Sequence, residues 1–169
     1  MCKIGFGGGC HWCTEAVFQS LKGVKKVEQG WISPASDVSD FSEGVLVHFE
    51  PKQIGLDVLI AIHVHTHSAT ANHSMRQKYR SAIYTFSKDQ EVASRKAVDE
   101  IQKDFEQTLI TKILAFGNFN LNHEQFRNYY YNKSDRPFCK NYIQPKLKKI
   151  LKKFSGHAEN EIIRNSFNK

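Results

Sequence analysis

The stretch GFGGGCHWCTEAVF, residues 5–18, decides how the rest of the chain reads. The apolar start Ile4–Phe6 predicts a strand. Gly7, Gly8 and Gly9 follow, a run that lets the backbone turn sharply where side chains would clash. Cys10 then stands where a helix begins, and Glu15, Ala16, Val17, Phe18 and Leu21 carry that helix on. A thiol at a helix N-terminus faces unpaired backbone N–H groups and the positive end of the helix dipole. Both favour the thiolate, the nucleophilic form of cysteine. Cys13 lies one helical turn later on roughly the same face.

Working outward, the spacing predicts a strand over 3–6, a helix over 11–22 ending at Gly23, and a strand over 24–31. A polar loop spans 33–42, and GVLVHF (44–49) is a further strand closed by Pro51. Helical spacing covers 56–65, then 68–77 is polar and irregular. A strand is expected over 81–86, a long polar helix over 88–106 and a strand over 110–116. Helices are expected over 121–131 and 143–154, and the segment from Ser155 reads as a loose polar tail. The order β-α-β-β-α-β predicts an α+β fold: a two-layer α/β sandwich with a ferredoxin-like split β-α-β core, helices on one face, and extra C-terminal helices. Residues 1–154 form one catalytic domain in this reading, and 155–169 the tail.

Composition narrows the function classes. With 169 residues, 40% of them hydrophobic, the chain can bury a core. No apolar run approaches the ~20 residues that span a bilayer, so a membrane role is not expected. The N-terminus lacks the apolar stretch of a signal peptide, which points to the cytoplasm. Four cysteines, Cys2, Cys10, Cys13 and Cys139, do not make a disulfide framework; a close C-x-x-C in a reducing compartment is catalytic or metal-binding. The net charge of +7 raises nucleic-acid binding, but much of the excess sits in KLKKILKK (146–153), which reads as an amphipathic helix with a solvated basic face. No nucleic-acid-binding motif accompanies it.

Several side chains could join Cys10. His63, His65 and His67 form HVHTH, and His73 follows. On a strand these three would share a face, as zinc ligands can; on a helix continuing from Leu56 only His63 and His67 align. No metal is assigned. Glu15 reads as an ordinary first-turn carboxylate. Glu43 opens an otherwise apolar strand, where desolvation would keep its proton in place for general acid work. Tyr79 could offer a phenol donor. A thiolate, an acid for a departing oxygen, a phenol donor and a second thiol suit thiol-based reduction of an oxidised substrate.

At this point the residues resemble a known family. GGCHWCTEAVF is similar to the GGCFW motif that opens the catalytic helix of peptide methionine sulfoxide reductase A. SEGVLVHFEP (42–51) resembles the family's strand that begins with a catalytic glutamate. KYRSAIY (78–84) matches QYRSAIY, and RPFCKNYIQPKL (136–147) resembles the cysteine-bearing C-terminal segment. The resemblance implies an oxidoreductase of oxidative protein repair that reduces methionine S-sulfoxide, free or in proteins. Cys10 would attack the sulfoxide sulfur, with Glu43 protonating the oxygen and Tyr79 helping to hold it. Cys10 would become a sulfenic acid, and a disulfide reduced by thioredoxin would complete the cycle, with no bound cofactor. Cys13 is the favoured resolving thiol and Cys139 the alternative. Trp12 would wall the substrate methyl group, with His11, Trp31 and His73 as further binding residues. The chain departs from the family pattern in three ways: His11 replaces a phenylalanine, the loop 32–42 has no tyrosine, and the aspartates expected between Asp57 and Asp89 are missing. A dithiol–disulfide oxidoreductase or a His/Cys metal-binding module are the competing readings.

Overall fold

The computed structural model describes residues 1–169. Five strands order as β1 (Cys2–Gly7), β3 (Ser42–Phe49), β2 (Val24–Pro34), β5 (Lys112–Leu121) and β4 (Ala82–Thr85). β1 pairs antiparallel with both β3 and β4, and β2 pairs antiparallel with β3 and β5. β4 and β5 run parallel, with Ile83 opposite Ile113, and that pairing closes the sheet into a barrel. The fold is mixed helix and strand as expected, but the open sheet of a two-layer sandwich is corrected to a closed one. The physical reason lies in β5, which reaches Leu121 and inserts between β2 and β4, leaving no free edge.

Alternation along the strands makes two cores. Ile4, Phe6, Val45, Val47 and Ile83 face outward, where they pack with α1 (His11–Gln19) and α2 (Leu56–Thr66) in the main core. Ile32, Leu46, Ala82 and Tyr84 face into the barrel. A five-stranded barrel is narrow, because diameter grows with strand number. Gly5 makes room: a Cβ there would lie 2.7 Å from Ile32 Cδ1 and 2.8 Å from Tyr84 Cβ.

α3 (Lys88–Gln102) packs over α2, capped by the Ser87 hydroxyl, which accepts from the Gln90 N–H. The helix expected over 121–131 is not formed. Its place holds a short turn, Glu124–Phe126, and a single turn, α4 (Tyr129–Asn132), entered through Asn128 at φ 52°. Two backbone N–H groups there bond instead to the carboxylate of Glu15. A π-helical turn, Cys139–Ile143, leads into α5 (Gln144–Lys153). The segment from Ser155 is not loose: α6 (Asn160–Ser166) buries Ile163 in the main core, and Ala158 bridges Leu21. The Tyr130 hydroxyl meets the Ser166 hydroxyl at 2.6 Å, fixing that docking.

Candidate active site

Cys10 sits at the N-cap of α1, half-buried, in extended geometry (φ −57°, ψ 130°). Its carbonyl accepts the first helical N–H groups, from Cys13 at 3.1 Å and Thr14 at 3.2 Å. The thiol is held below the usual cysteine range. The largest cause is the neighbouring Cys13 thiol, as a hydrogen-bond donor to the thiolate; burial opposes this, and the N–H groups of Trp12 and Cys13 support it. The same pairing, with burial, pushes buried Cys13 well up. The lowering thus comes first from the neighbouring thiol, with the helix-start N–H groups secondary. All four cysteines are free.

Glu43 opens β3 fully buried, not half-buried, at 4% exposure. Its Oε1 accepts from the backbone N–H of His11 at 3.2 Å, which ties the carboxyl to the residue after Cys10. The same oxygen lies 3.3 Å from His11 Nε2, and Oε2 lies 3.5 Å from the Lys78 ammonium. The negative charge of Glu43 raises Cys10, so the two groups sense each other. Lys78 Nζ also stands 5.2 Å from the Tyr79 ring centroid, and its pKa is raised first by the Tyr79 hydroxyl and then by Glu43. Lys78 therefore links Tyr79 to Glu43. Sequence reasoning missed it, although it stands in KYRSAIY where the resembled motif has glutamine.

His11 is buried, with its Nδ1 2.9 Å from the Gly30 carbonyl and its ring edge-on to Trp31 at 5.4 Å. Trp31 lies opposite Glu43 in the β2–β3 register. Trp12 stacks on Tyr129 at 4.0 Å and meets Phe138 edge-on at 5.6 Å, so one face and one edge of its ring are occupied. His73 is not brought in. It is exposed, caps the turn Ser74–Gln77 through the Met75 N–H, and makes no hydrogen bond, ion pair or ring contact with Cys10, His11 or Glu43. Cys139 is buried in the π-helical turn, where its thiol donates to the Lys133 carbonyl at 3.6 Å and burial raises its pKa.

Behind Cys10 lies a small cavity of about 30 Å³, lined by Cys10, Cys13, His63, Thr66, His67 and Lys146. α2 stays helical to Thr66, so His63 and His67 align and stack at 4.2 Å, while His65 turns away to Asp104. His63 Nε2 meets the Gly7 carbonyl at 2.8 Å, and His67 Nε2 meets the Ser81 hydroxyl at 2.7 Å. The His67 ring fills the space beside Gly8, where a Cβ would fall 2.5 Å from it. Burial drives both imidazoles toward the neutral form, His67 to about 4. No group of three or more His, Cys, Asp or Glu side chains is arranged to hold a metal ion. Lys146 corrects the reading of 146–153 as a wholly solvated face. Lys148, Lys149 and Lys152 are exposed, but Lys146 turns inward, donates to the Thr66 carbonyl and faces both thiols, with its pKa lowered by burial. Glu15 is corrected too: it is buried, accepts from the N–H groups of Asn128 (2.8 Å) and Tyr129 (3.0 Å) and from Gln29 Nε2 (3.1 Å), and is raised by burial.

The chain is similar to several known proteins. Residues 2–159 match the family model described as peptide methionine sulfoxide reductase. The chain is 32% identical over 161 residues to a peptide methionine sulfoxide reductase MsrA of Deinococcus radiodurans, covering 86% of this chain and 78% of that one. A MsrA of Nitratiruptor is 29% identical over 90% of this chain and 96% of its own. Among solved structures, reduced Mxr1 of Saccharomyces cerevisiae superposes with a TM-score of 0.71 at 21% identity, covering 82% of this chain and 88% of that one. Methionine sulfoxide reductase A of Corynebacterium diphtheriae gives 0.66 at 22% identity, covering 77% and 74%. No helix is long and apolar enough to cross a membrane. With a matched family model over nearly the whole chain and Cys10 at the start of α1, the chain belongs to the peptide methionine sulfoxide reductases, a family of oxidoreductase enzymes.

Proposed function

We propose that the chain reduces the S epimer of methionine sulfoxide, free or protein-bound, with Cys10 as nucleophile. The observation that carries this is the Cys10 thiol, held low at the start of α1, next to a buried Glu43 fastened to the His11 N–H. The Cys10 thiolate attacks the sulfoxide sulfur. One proton reaches the sulfoxide oxygen from Glu43, with Tyr79 and Lys78 holding that oxygen. The attack forms a Cys10 S–S(methionine) bond; that bond and the methionine S–O bond both break as the protonated oxygen moves to the Cys10 sulfur and forms its S–O bond. Methionine sulfur gains two electrons, Cys10 sulfur loses two, and Cys10 leaves the step as a sulfenic acid. The Cys13 thiol then displaces that hydroxyl as water and forms a disulfide.

Cys13 is the resolving thiol in this reading, because it is one turn away and lines the same cavity as Cys10. Cys139 is the alternative, and its burial in a closed turn weighs against it. A thiol reductant reopens the disulfide. Thioredoxin is the proposed one, supported by the solved complex of Mxr1 with Trx2, whose Mxr1 chain superposes at a TM-score of 0.59 and 21% identity over 73% of this chain and 82% of its own. Trp31, His11 and the open face of Trp12 would border the substrate methyl group, and no bound cofactor is needed. Four free cysteines suit a reducing cytoplasm. The consecutive order β4-β1-β3-β2 is read as a split β-α-β core to which β5 was added, and residues 155–169 as a brace on a catalytic domain of 1–154.

The test is dithiothreitol-driven reduction of a peptide carrying separated S and R sulfoxide epimers. Turnover of the S epimer alone, abolished in Cys10→Ser, is the expected result. No turnover by the folded, reduced chain rejects the reading.

A further inference from the structure

The pocket residue that departs from the resembled motif, His11, has an unusual neighbour. Its Nδ1 lies 2.9 Å from the Gly30 carbonyl oxygen, which can only accept, so Nδ1 carries a hydrogen in either charge state. Neutral His11 then presents a lone pair at Nε2. That atom lies 3.3 Å from Glu43 Oε1, which accepts the His11 backbone N–H and, when the carboxyl is ionised, carries no hydrogen to offer Nε2. Both side chains are buried, at 5% and 4% exposure, so water does not separate the two lone pairs cheaply. One proton between them removes the conflict.

The other groups facing the pair come from every surrounding element. On α1 the Cys10 thiolate opposes a second negative charge on Glu43. Just before β4, Lys78 stands 3.5 Å from the far oxygen of the carboxyl, and Tyr79 interacts with that ammonium. From β2 come the Gly30 carbonyl and the edge of Trp31. Asn122, just after β5, donates one amide hydrogen to Gln29 Oε1 at 2.7 Å and points its second at His11 Nε2 at 3.5 Å, while Gln29 in turn donates to Glu15. Nε2 thus has two polar neighbours, Glu43 Oε1 at 3.3 Å and the Asn122 amide at 3.5 Å, and the carboxyl is the nearer.

We propose that His11 and Glu43 hold one shared proton, and that this pair supplies the proton taken up by the sulfoxide oxygen. The inference rests on the reductase reading above. In the step, Glu43 gives a proton to the oxygen as the methionine S–O bond breaks, and the proton it shares with His11 Nε2 is the one transferred. For this step His11 acts through Glu43 and is a positioning residue.

Two measurements test it. The first follows the His11 ring nitrogens by NMR against pH in the reduced protein and in Glu43→Gln. A coupled pair shifts the His11 midpoint by about one pH unit or more when Glu43 loses its charge. An unmoved midpoint overturns the shared proton. The second follows single-turnover sulfenic acid formation against pH for the native chain, His11→Asn and His11→Phe. Asparagine keeps a donor for the Gly30 carbonyl and deletes Nε2. Both variants should lose rate on the alkaline side by about tenfold, with the alkaline limb displaced to lower pH. Variants that keep the native limb overturn proton delivery by the pair. A native chain with no turnover rejects the reductase reading and the delivery with it, while the NMR result still decides the shared proton.

Discussion

The ammonium of Lys78 stands 3.5 Å from Glu43 Oε2 while half of the Lys78 side chain faces solvent, so a buried carboxyl reaches water through a single cation. Replacing that cation by Met should leave the fold intact, because its exposed end makes no core contact. Sulfenic acid formation should slow by about fivefold, because a half-exposed charge is partly screened by water. Lys78→Arg should recover most of the rate. Rapid-quench trapping of the sulfenic acid with dimedone measures both.

Cys13→Ala and Cys13→Ser separate the two uses of that thiol. Alanine removes the group that holds Cys10 low, so the midpoint for Cys10 alkylation by iodoacetamide should rise toward the ordinary cysteine range. Serine keeps an O–H donor and should move that midpoint less. Neither variant can form the Cys10–Cys13 disulfide. Both should give one equivalent of methionine and then stop or slow, with sulfenic acid accumulating, as read by mass spectrometry.

Lys146 faces both thiols and is the charged group that lowers Cys13. Lys146→Met should slow disulfide formation by about tenfold, because the attacking Cys13 thiolate loses its cation. Sulfenic acid formation should change less. Free-thiol counts at timed intervals after one equivalent of sulfoxide distinguish the steps.

Glu15 carries a folded-state pKa raised by burial. Its contribution to stability is therefore fully present below the unfolded carboxylate pKa and is lost as pH rises through the folded value. Against the rising contribution of the buried, neutral His63 and His67, Glu15 adds a falling slope to urea titrations across that window. Glu15→Ala should flatten that slope and cost about 3 kcal/mol, since the N–H groups of Asn128 and Tyr129 lose their acceptor.

Gly5→Ala should destabilise the barrel by about 2 kcal/mol, through the overlap of its Cβ with Ile32 and Tyr84. Thermal unfolding followed by circular dichroism checks this, with Gly156→Ala, where a Cβ meets nothing, as the control.

The sequence by itself determined the local chemistry. Gly7–Gly9 followed by Cys10 and an apolar helical run can only present a thiol at a helix start, and C-x-x-C spacing puts Cys13 one turn away whatever surrounds it. Period-two and helical spacing likewise located most strands and helices, because burial of one face is a local property of the pattern. Tertiary structure decided the rest. Closure of the barrel depends on β5 pairing with both β2 and β4, a contact between residues far apart in the chain. The failed helix over 121–131 and the docked segment after Ser155 depend on partners, Glu15, Leu21 and Ser166, that local periodicity does not report. The same holds at the site. Lys78 carries no signal of its own in KYRSAIY and Lys146 sits in a stretch whose charge reads as solvated, and only folding turns one onto Glu43 and the other between Thr66 and the two thiols. His73 shows the converse: its chemistry suits the pocket, but its backbone uses it as a cap and leaves it in solvent.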